Sequence, residues 1–394
     1  MVKSPVGQFE NERNWKVVFG PSCSERILEE LERFDAHRVL IVTTSSVSRS
    51  SIYEKIRDIL ADRLVAVFSG ARQHGPLQCV FQGANMLESN EADSIVSLGG
   101  GSAVDVAKGI AMVSAFGDLN RFRGHTYVNS HKGTLEIGFG DKQTATKVPP
   151  IFAIPTTLSG AEFTYQAGLT DAETGKKDQY YCRQVLPKVI FLDPYATGDT
   201  PADLWLSSGV KCLDHNVERL YSRNHHPFSD ALALRSITML FDNLGRGFGD
   251  PADIDVRGNL LFASWMAQFC TKNVNVGVGH AIDHQLCGYY DIPHGIASCV
   301  MLPHAMEFNK EAACESLIEM SAAIGVDKDP NAAIAATRSL IERLGFPSRL
   351  RDIGVQRGDF PMLAERTLND TAITGNPRRV ESTPQILGIL ESAW

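Results

Sequence analysis

Short apolar runs alternate with amphipathic stretches along the first half of the chain. Five runs are continuously apolar and rich in β-branched or aromatic residues, as parallel strands covered on both faces are. They lie at 38–44, 64–69, 94–98, 151–154 and 188–192. Between them the apolar spacing predicts helices over 22–33, 47–61, 77–89 and 102–115. This alternation predicts a doubly wound α/β domain over residues 1–195, built on a parallel sheet.

The pattern changes beyond the proline-containing segment 193–201. Strand-like runs end there and helical periodicity takes over. It predicts helices over 203–222, 229–244, 257–271, 296–308, 331–345 and 383–392. An all-α domain is therefore expected over residues 196–394. Segment 119–149 has few apolar residues and is expected to be a surface loop or a hairpin insertion.

Composition narrows the class of protein. The chain has 394 residues, with 38 basic and 46 acidic side chains and a net charge of −8, which argues against nucleic acid or an anionic membrane as partner. Neither a secretory signal nor a long apolar span is visible. The eight cysteines lie far apart and are expected to be reduced and mostly packed in the core. We expect a cytoplasmic protein with a small-molecule substrate.

A glycine-rich loop follows the strand at 94–98. Gly99, Gly100, Gly101 and Ser102 lead directly into a helix that carries Asp105. Glycines let the backbone approach a phosphate, and a helix N-terminus presents N–H groups to it, with Ser102 as the expected N-cap. The loop matches neither standard nucleotide fingerprint. Pyrophosphate binding is favoured over a tight turn without a ligand.

A second polar loop follows the strand at 151–154. Thr156, Thr157 and Ser159 crowd hydroxyl groups at the carboxyl end of that strand, where ligands enter open α/β sheets. A hydroxyl-rich helix cap would explain this loop alone equally well. Two such loops in one sheet favour a ligand site.

Four histidines form the candidate chemistry of the second half. His215 follows Lys211 by four residues, and His280 and His284 have the same spacing, so each pair shares a helix face. His294 follows in a predicted loop. Separated histidines of this kind bind divalent metals, although HAIDH is not the HExxH pattern of zinc proteases. Asp214, next to His215, is expected to face solvent or a neighbouring segment.

These features together resemble the iron-containing (group III) alcohol dehydrogenase family. The motifs are GGGSAVDVAK, PTTLSGAEFT, LPKVIFLDP, SSGVKCLDHNVERLYS and HAIDHQLCGYYDIPHGIASCVMLPHAMEFN, which keep the family's order and spacing over nearly the whole chain. FSGARQHGP and the segment 183–187 resemble the maleylacetate reductase branch. The resemblance implies the dehydroquinate synthase-like architecture, with an NAD(P)-binding domain, a helical domain, a cleft site and often a homodimer.

The resemblance also implies roles for individual residues. The glycine loop, with Ser102 and Asp105, would hold the cofactor's pyrophosphate side, and Thr156, Thr157 and Ser159 would line the nicotinamide. Lys177 would reach a ribose. The three metal-ligand histidine positions fall on His215, His280 and His294, while His284 matches a histidine near the proton relay.

One position departs from the family pattern. Metal-dependent members have an aspartate where this chain has Lys211, and an ammonium repels Fe²⁺ or Zn²⁺. We therefore expect a metal to be absent and Lys211 to supply the positive charge instead, beside a developing oxyanion or a substrate carboxylate. Arg183 is a further candidate for carboxylate binding. Alternatively, Lys211 turns away into an ion pair with Asp214 or Glu218.

The predicted function is an NAD(P)H-dependent oxidoreductase that transfers hydride to or from a small carbonyl or alcohol, such as the oxo acid maleylacetate. Lys211 and the four histidines are the predicted catalytic residues. Thr44 ends the strand at 38–44 where many NAD-preferring members have aspartate, so NADP is permitted as well as NAD. Alternatives are a metal-dependent alcohol or aldehyde dehydrogenase, a non-redox lyase like dehydroquinate synthase, and a scaffold that only binds nucleotide.

Overall fold

The protein, seen in a computed structural model, forms two compact units. The structure describes residues 16–129, 134–138, 147–171, 177–269 and 273–394. The first unit ends at Pro201 and the second begins at Ala202. The predicted combination of an α/β unit followed by a helical unit is confirmed.

The first unit is built on a six-stranded parallel sheet. In chain order its described strands are β1 (Lys16–Phe19), β2 (Val39–Thr44), β3 (Leu64–Ala71), β4 (Ser94–Gly99), β5 (His125–Asn129), β6 (Thr134–Gly138), β7 (Ile151–Pro155), β8 (Gln166–Thr170), β9 (Lys177–Tyr181) and β10 (Val189–Leu192). The sheet order is β1-β10-β7-β4-β2-β3, with β5–β6 and β8–β9 as separate antiparallel hairpins. The chain leaves β2 for β3 on one side and then crosses to β4 on the other. This reversal is a topological switch point, where ligands bind in open sheets.

Both faces of the sheet are buried, as the apolar runs predict. Val39 and Ile41 of β2 pack on one side with helices α1 (Ile27–Arg33) and α2 (Ser51–Leu60). Leu40 and Val42 point the other way, towards α3 (Leu77–Ser89) and α4 (Gly101–Phe116). Successive side chains of a strand face opposite sides, so every residue of this run finds apolar neighbours.

Three parts of the first unit show what the apolar pattern of the sequence predicts and what it does not. The predicted insertion 119–149 contains the β5–β6 hairpin. The short edge strand β1 and the β8–β9 hairpin are absent from the prediction, because the apolar run of β1 is only three residues long and the hairpin strands mix polar and apolar residues. The helix predicted over 22–33 begins as a 3₁₀ turn, Cys23–Arg26, before α1.

In the described residues of the second unit, helices are the only regular secondary structure. Its helices are α5 (Ala202–Leu220), α6 (Pro227–Gly249), α7 (Ile254–Phe269), α8 (Val278–Tyr290), α9 (His294–Asn309), α10 (Cys314–Ala323), α11 (Pro330–Arg343), α12 (Phe360–Leu368) and α13 (Thr383–Ser392). A core between α8, α9, α12 and α13 contains Ile282, Val300, Leu363 and Ile389. All six predicted helices are present, although residues 270 and 271 of one prediction lie outside the described residues. Of the other three helices, α8 is indicated in the sequence only by the spacing of His280 and His284, and the short helices α10 and α12 are absent from the prediction.

Two composition-based expectations concern cysteine and the membrane. Six of the seven described cysteines are buried, and Cys314 is exposed, so most thiols do pack as small apolar groups. Cys270 lies outside the described residues. No helix in the described part of the chain combines the length and the apolar character that crossing a bilayer requires.

Candidate active site

The glycine loop of the first unit lies at the switch point of the sheet. Gly99 ends β4 with φ +148°, a conformation that side chains with a Cβ rarely adopt, and Gly100 is the residue that caps α4. The N-terminus of α4 thus begins immediately at the carboxyl end of β4. Free helix N–H groups at such a point attract phosphate.

The two polar loops predicted from the sequence come together. A Cβ on Gly100 would lie 2.9 Å from Thr157 Oγ1, and one on Gly101 would lie 3.1 Å from Ser159 Oγ. The Thr156 N–H donates to the Gly99 carbonyl at 3.0 Å. Because the hydroxyl-bearing side chains pack directly on the glycines, the loop tolerates no larger residue without a shift. The result is a compact cradle with backbone N–H groups and hydroxyls side by side.

Two residues of the loop region have different local roles from those expected. Ser102 is inside α4 and does not cap it, because Gly100 takes the N-cap position. The expected N-cap role of Ser102 is therefore wrong. Asp105 accepts a hydrogen bond at 3.2 Å from the Gly168 N–H, on the hairpin strand β8. Its carboxylate thus also fastens the hairpin to α4.

A buried lysine strengthens the second loop. The Lys108 side chain is fully buried, and its Nζ donates to the Ala161 and Gln166 carbonyls at 2.7 Å each. A buried ammonium is tolerated only when its hydrogen bonds are satisfied. Lys108 therefore holds the segment that follows Ser159 against α4.

Fewer contacts are known for the remaining residues predicted to bind ligands. Thr44 Oγ1 lies 3.0 Å from Ser46 Oγ and accepts from the Val47 N–H at 3.3 Å, at the carboxyl end of β2. Lys177 is the first residue of β9, and its side chain is outside the described part of the structure. Arg183, which was proposed for carboxylate binding and not for the cofactor, is exposed, with its guanidinium carbon 5.9 Å from the centre of the Tyr165 ring.

Three helices of the second unit bring the predicted histidines together. His215 lies on α5, His280 and His284 lie on α8, and His294 is the first residue of α9 rather than part of a loop. The His280 ring is the centre of the cluster, with its centroid 4.8 Å from those of His215 and His294 and 4.6 Å from that of His284. Residues from distant parts of the chain thus form one imidazole cluster.

Two of the rings are oriented by side chains that the sequence analysis did not single out. Gln268 Nε2 lies 2.6 Å from His215 Nδ1, and Asp370 Oδ2 lies 2.9 Å from His284 Nδ1. Burial acts to raise the pKa of Asp370, but His284 and its hydrogen bonds lower it below the ordinary value. Both partners are far from their histidines in sequence, so no local spacing indicated them.

Two buried carboxyl groups lie behind the cluster. Asp214 Oδ2 is 3.6 Å from His280 Nδ1, and Asp283 Oδ2 is 3.6 Å from His294 Nδ1. The Ser298 hydroxyl lies between them, 2.6 Å from Asp283 Oδ2 and 3.4 Å from Asp214 Oδ2. Burial raises the pKa of both acids, and the Lys211 charge acts against that rise. Asp214 was expected to face either solvent or a neighbouring segment. It is 1% exposed, so it faces a neighbouring segment.

Glu218 positions the start of α8. Its carboxylate accepts hydrogen bonds from the N–H groups of Gly277, Gly279 and His280, at 2.8, 2.9 and 3.3 Å. Burial nevertheless raises the pKa of Glu218 to about 7. A Cβ on Gly277 or Gly279 would lie 3.0 or 2.9 Å from Glu218 Oε1, so glycine is needed at both. This carboxylate is a tertiary cap for the helix that carries two of the histidines.

The electrostatics keep the central rings neutral. Burial lowers the pKa of His215 and of His280 well below the ordinary histidine value, and the positive charge of Lys211 lowers both further. Lys211 is half-buried on α5, one turn before His215. A cluster of neutral imidazoles beside a cation can accept protons and attract an anion.

Nitrogen ligands for a metal are present in the cluster. His280, His284 and His294 each offer one ligand atom within 4.8 Å of the others, and Asp214, His280 and Asp283 form a second, fully buried set. The first set contains two of the three histidines expected as ligands, with His284 where His215 was expected. Both sets therefore bring together donor atoms of the kind that bind a cation.

The two units define a class: a dinucleotide-dependent oxidoreductase whose helical unit carries an imidazole cluster. The model of "Iron-containing alcohol dehydrogenase" matches residues 14–194, and that of "Fe-containing alcohol dehydrogenase family, C-terminal" matches residues 205–394. The chain belongs to the iron-containing alcohol dehydrogenase family. It is therefore an enzyme, and the activity of the family is NAD(P)-dependent oxidoreduction of alcohols and aldehydes, often with iron.

Similar proteins have varied names. The chain is 31% identical to 1,3-propanediol dehydrogenase of Klebsiella pneumoniae over 92% of both chains. It is 26% identical to maleylacetate reductase of Pseudomonas aeruginosa over 97% of this chain and 96% of that one. The solved structure of a 1,3-propanediol oxidoreductase matches with a TM-score of 0.90 and 29% identity, over 98% of this chain and 100% of that chain.

Proposed function

We propose that this enzyme is an NAD(P)H-dependent reductase of a small oxo acid, with maleylacetate as a representative substrate. The observation that carries the proposal is Lys211, whose positive charge acts on a buried cluster of neutral imidazoles. A cation at that place favours a substrate that is itself anionic or that becomes an oxyanion. The named similarity to a maleylacetate reductase supports the same substrate class.

The residues of the cluster would divide the chemistry among them. A bound nicotinamide supplies the hydride. Lys211 stabilises the charge that develops on the carbonyl oxygen. Of the two histidines expected as proton donors, His284 delivers the proton that this oxygen takes up, because burial keeps His280 neutral and suited to accept a proton. His215 is oriented by Gln268 and His284 by Asp370, so the rings are held before substrate arrives.

The glycine cradle supports the cofactor assignment. Thr157 and Ser159 can pack directly on Gly100 and Gly101 only because these positions lack a Cβ, and this packing brings their hydroxyls beside the N-terminus of α4. Thr44 places no carboxylate at the end of β2, so both NAD and NADP are permitted. A homodimer and a cytoplasmic location stay predictions.

The family's metal does not fit the charges of the cluster. Three imidazoles are suitable nitrogen ligands, but Lys211 adds a positive charge that acts on His215 and His280. An ammonium has no lone pair to donate and repels a dication. We therefore propose that the reaction runs without a metal ion, with Lys211 in its electrostatic role.

A metal-dependent alcohol or aldehyde dehydrogenase is the second candidate. The mutual approach of His280, His284 and His294 favours it. Metal analysis of protein purified without chelator separates the two. Stoichiometric iron or zinc, together with loss of activity on chelation, would contradict the metal-free proposal.

A substrate panel tests the proposed activity directly. Oxidation of NADH and NADPH is followed with oxo acids, with matched aldehydes that lack the carboxylate, and with primary alcohols in the reverse direction. We expect a kcat/KM that favours the carboxylate-bearing carbonyl. Equal rates with and without a carboxylate would contradict the oxo-acid assignment, and no turnover in the whole panel would contradict the oxidoreductase.

The Lys211→Met variant tests the charge itself. Because the substitution keeps the stem but removes the ammonium, we expect kcat for carbonyl reduction to fall by roughly 10²–10³, the usual effect of losing one oxyanion-stabilising group. The matched control is Lys328→Met at an exposed position. Unchanged turnover in a folded Lys211→Met enzyme would remove the lysine from the mechanism.

A further inference from the structure

The motif at the end of strand β3 has no part in the proposed reaction. The segment FSGARQHGP contains the end of β3 and the loop that leads to α3. Its arginine, Arg72, is exposed and forms no ion pair within the described part of the chain. A positive charge therefore stands at the carboxyl end of the sheet without a carboxylate of this unit beside it.

Sheet topology places Arg72 near the glycine cradle. Thr44, the last residue of β2, pairs with Ala71, the last residue of β3, and β2 also pairs with β4, which ends at Gly99. The three strands are parallel neighbours, so their carboxyl ends lie along one edge of the sheet, about 4.8 Å from strand to strand. Because Arg72 follows Ala71 directly, it begins roughly two strand spacings from the cradle, beyond Thr44.

The two loops at this edge carry positive and no negative side chains. Residues 44–50 and 70–76 contain no acidic residue and one arginine each, Arg49 and Arg72. Arg49 ends the 3₁₀ turn that leads away to α2, whereas Arg72 adjoins the residue that pairs with Thr44. In dinucleotide-binding sheets a carboxylate near this place binds the ribose 2′-hydroxyl of NAD, and an arginine there accommodates the 2′-phosphate of NADP. The loops therefore have the charge that suits the phosphorylated cofactor.

Hydroxyl groups at the end of β2 suit a phosphate as well. Thr44 Oγ1 and Ser46 Oγ lie 3.0 Å apart, so one of the two hydroxyls donates to the other. The hydroxyl that accepts this bond keeps its own proton for a further acceptor, such as a phosphate oxygen. A carboxylate at the same place would have no proton to donate.

The loop that carries Arg72 is tied to the hairpin strand β8. His74 has φ 61°, a left-handed conformation that residues other than glycine rarely adopt. The Thr170 hydroxyl donates to the His74 carbonyl at 2.7 Å, and the Thr170 N–H donates to the Gly75 carbonyl at 3.0 Å. The Gly75 N–H in turn donates to the Arg72 carbonyl at 3.1 Å. The backbone at Arg72 is thus placed before a cofactor binds, which lowers the entropic cost of binding.

We propose that Arg72 is a specificity-determining residue that binds the 2′-phosphate of NADP, with the hydroxyls of Thr44 and Ser46 beside it, so that the enzyme prefers NADPH to NADH. A planar guanidinium forms paired hydrogen bonds with phosphate oxygens. The proposal rests on the proposed use of a nicotinamide dinucleotide, but not on which carbonyl compound is reduced. Cofactor binding is measured without turnover.

Fluorescence titration of the substrate-free enzyme with NADPH and with NADH tests the preference. We expect the wild type to bind NADPH about tenfold or more tightly than NADH. In Arg72→Met, which removes the guanidinium but keeps an apolar stem, the Kd for NADPH should rise roughly tenfold or more, while that for NADH should change less than about twofold. Equal or tighter binding of NADH by the wild type, or an unchanged Kd for NADPH in Arg72→Met, would overturn the proposal.

Two further variants separate recognition of the phosphate from a structural role of the loop. Arg72→Lys keeps the charge but not the planar fork, so we expect a Kd for NADPH between those of the wild type and Arg72→Met. The matched control is Arg235→Met at an exposed position of α6, which should bind both cofactors like the wild type. Similar losses of affinity for NADPH and NADH in Arg72→Met would show that Arg72 only shapes the loop, which contradicts the proposal.

Competition with adenosine nucleotides isolates the 2′-phosphate. We expect 2′,5′-ADP to displace NADPH from the wild type at a concentration roughly tenfold or more below that needed for 5′-AMP, and this difference to disappear in Arg72→Met. No difference in the wild type would overturn the proposal. If NADPH is preferred through Arg72 but no carbonyl compound is reduced, the proposed substrate class fails and the cofactor inference stands. An enzyme that binds neither nucleotide would contradict both.

Discussion

At the scale of single residues, the cradle of the first unit depends on the absence of side chains. Gly100 has ordinary backbone angles, so its requirement for glycine comes from space and not from conformation. Thr157 occupies the volume into which a Cβ would project. Two loops that follow different strands therefore constrain one another at the place where a pyrophosphate is expected.

The Gly100→Ala variant tests this cradle. The added methyl would lie 2.9 Å from Thr157 Oγ1, so either the threonine or the loop must move. Overpacking of this kind costs about 1–3 kcal/mol, and we expect the Kd for NAD(P)H to rise roughly tenfold or more. Fluorescence titration measures it. Gly245→Ala is the control, since a Cβ there meets nothing within 4 Å. Equal cofactor affinity in the two variants would contradict the assignment of the loop.

At the scale of elements, α8 depends on another helix for its N-terminus. Its N-cap is Gly277, which has no side chain to satisfy the first N–H groups. Glu218 of α5 supplies the missing acceptor to three of them. An anion also interacts favourably with the positive end of the helix dipole. The placement of His280 and His284 therefore depends on a residue of a different helix.

Glu218→Gln should loosen this connection. The amide keeps the shape but has only one acceptor oxygen and no charge, so at least one buried N–H loses its partner. We expect a loss of about 1–3 kcal/mol in the free energy of unfolding. Urea denaturation measures it, with exposed Glu315→Gln on α10 as the control. Identical midpoints for both variants would show that the cap contributes nothing to stability.

At the scale of the whole molecule, several buried histidines are kept neutral. Burial lowers the pKa of His215 and His280 well below the ordinary value and that of His304 to about 4. In the unfolded chain the same groups titrate near pH 6.5. Between the two values the unfolded state binds more protons at these histidines, so their contribution to stability falls as the pH falls.

The histidine contribution is separable at His304, because Asp214, Asp283 and Glu218 have raised pKa values and change stability in the opposite direction. We expect His304 to lower the free energy of unfolding by at most about 3 kcal/mol between pH 6.5 and pH 4. Urea denaturation of the wild type and of His304→Gln across this range measures it, since the variant lacks this loss. The His37→Gln control at an exposed position should follow the wild type. A stability difference between the wild type and His304→Gln that does not change with pH would contradict this account.

Periodicity and local chemistry suffice for much of this protein. Apolar runs that are buried on both faces predict the parallel strands β2, β3, β4, β7 and β10. The i, i+4 spacing of His280 and His284 predicts that they share a helix face. The edge strand β1 has an apolar run of only three residues and pairs with the distant strand β10. The β8–β9 hairpin is local, but its strands mix small, polar and charged residues with apolar ones, so no continuous apolar run indicates it.

Order along the chain thus determines the α/β and helical units, the glycine loop and the identity of the clustered histidines. Tertiary structure decides what surrounds them: Thr157 against Gly100, Gln268 on His215, Asp370 on His284, and Asp283 with Ser298 behind His294. The reason is physical. The periodicity of apolar residues along the chain reflects which side of each strand or helix is buried. The position of a proton on an imidazole ring and the charge of an acid depend instead on neighbours that folding brings from far along the chain.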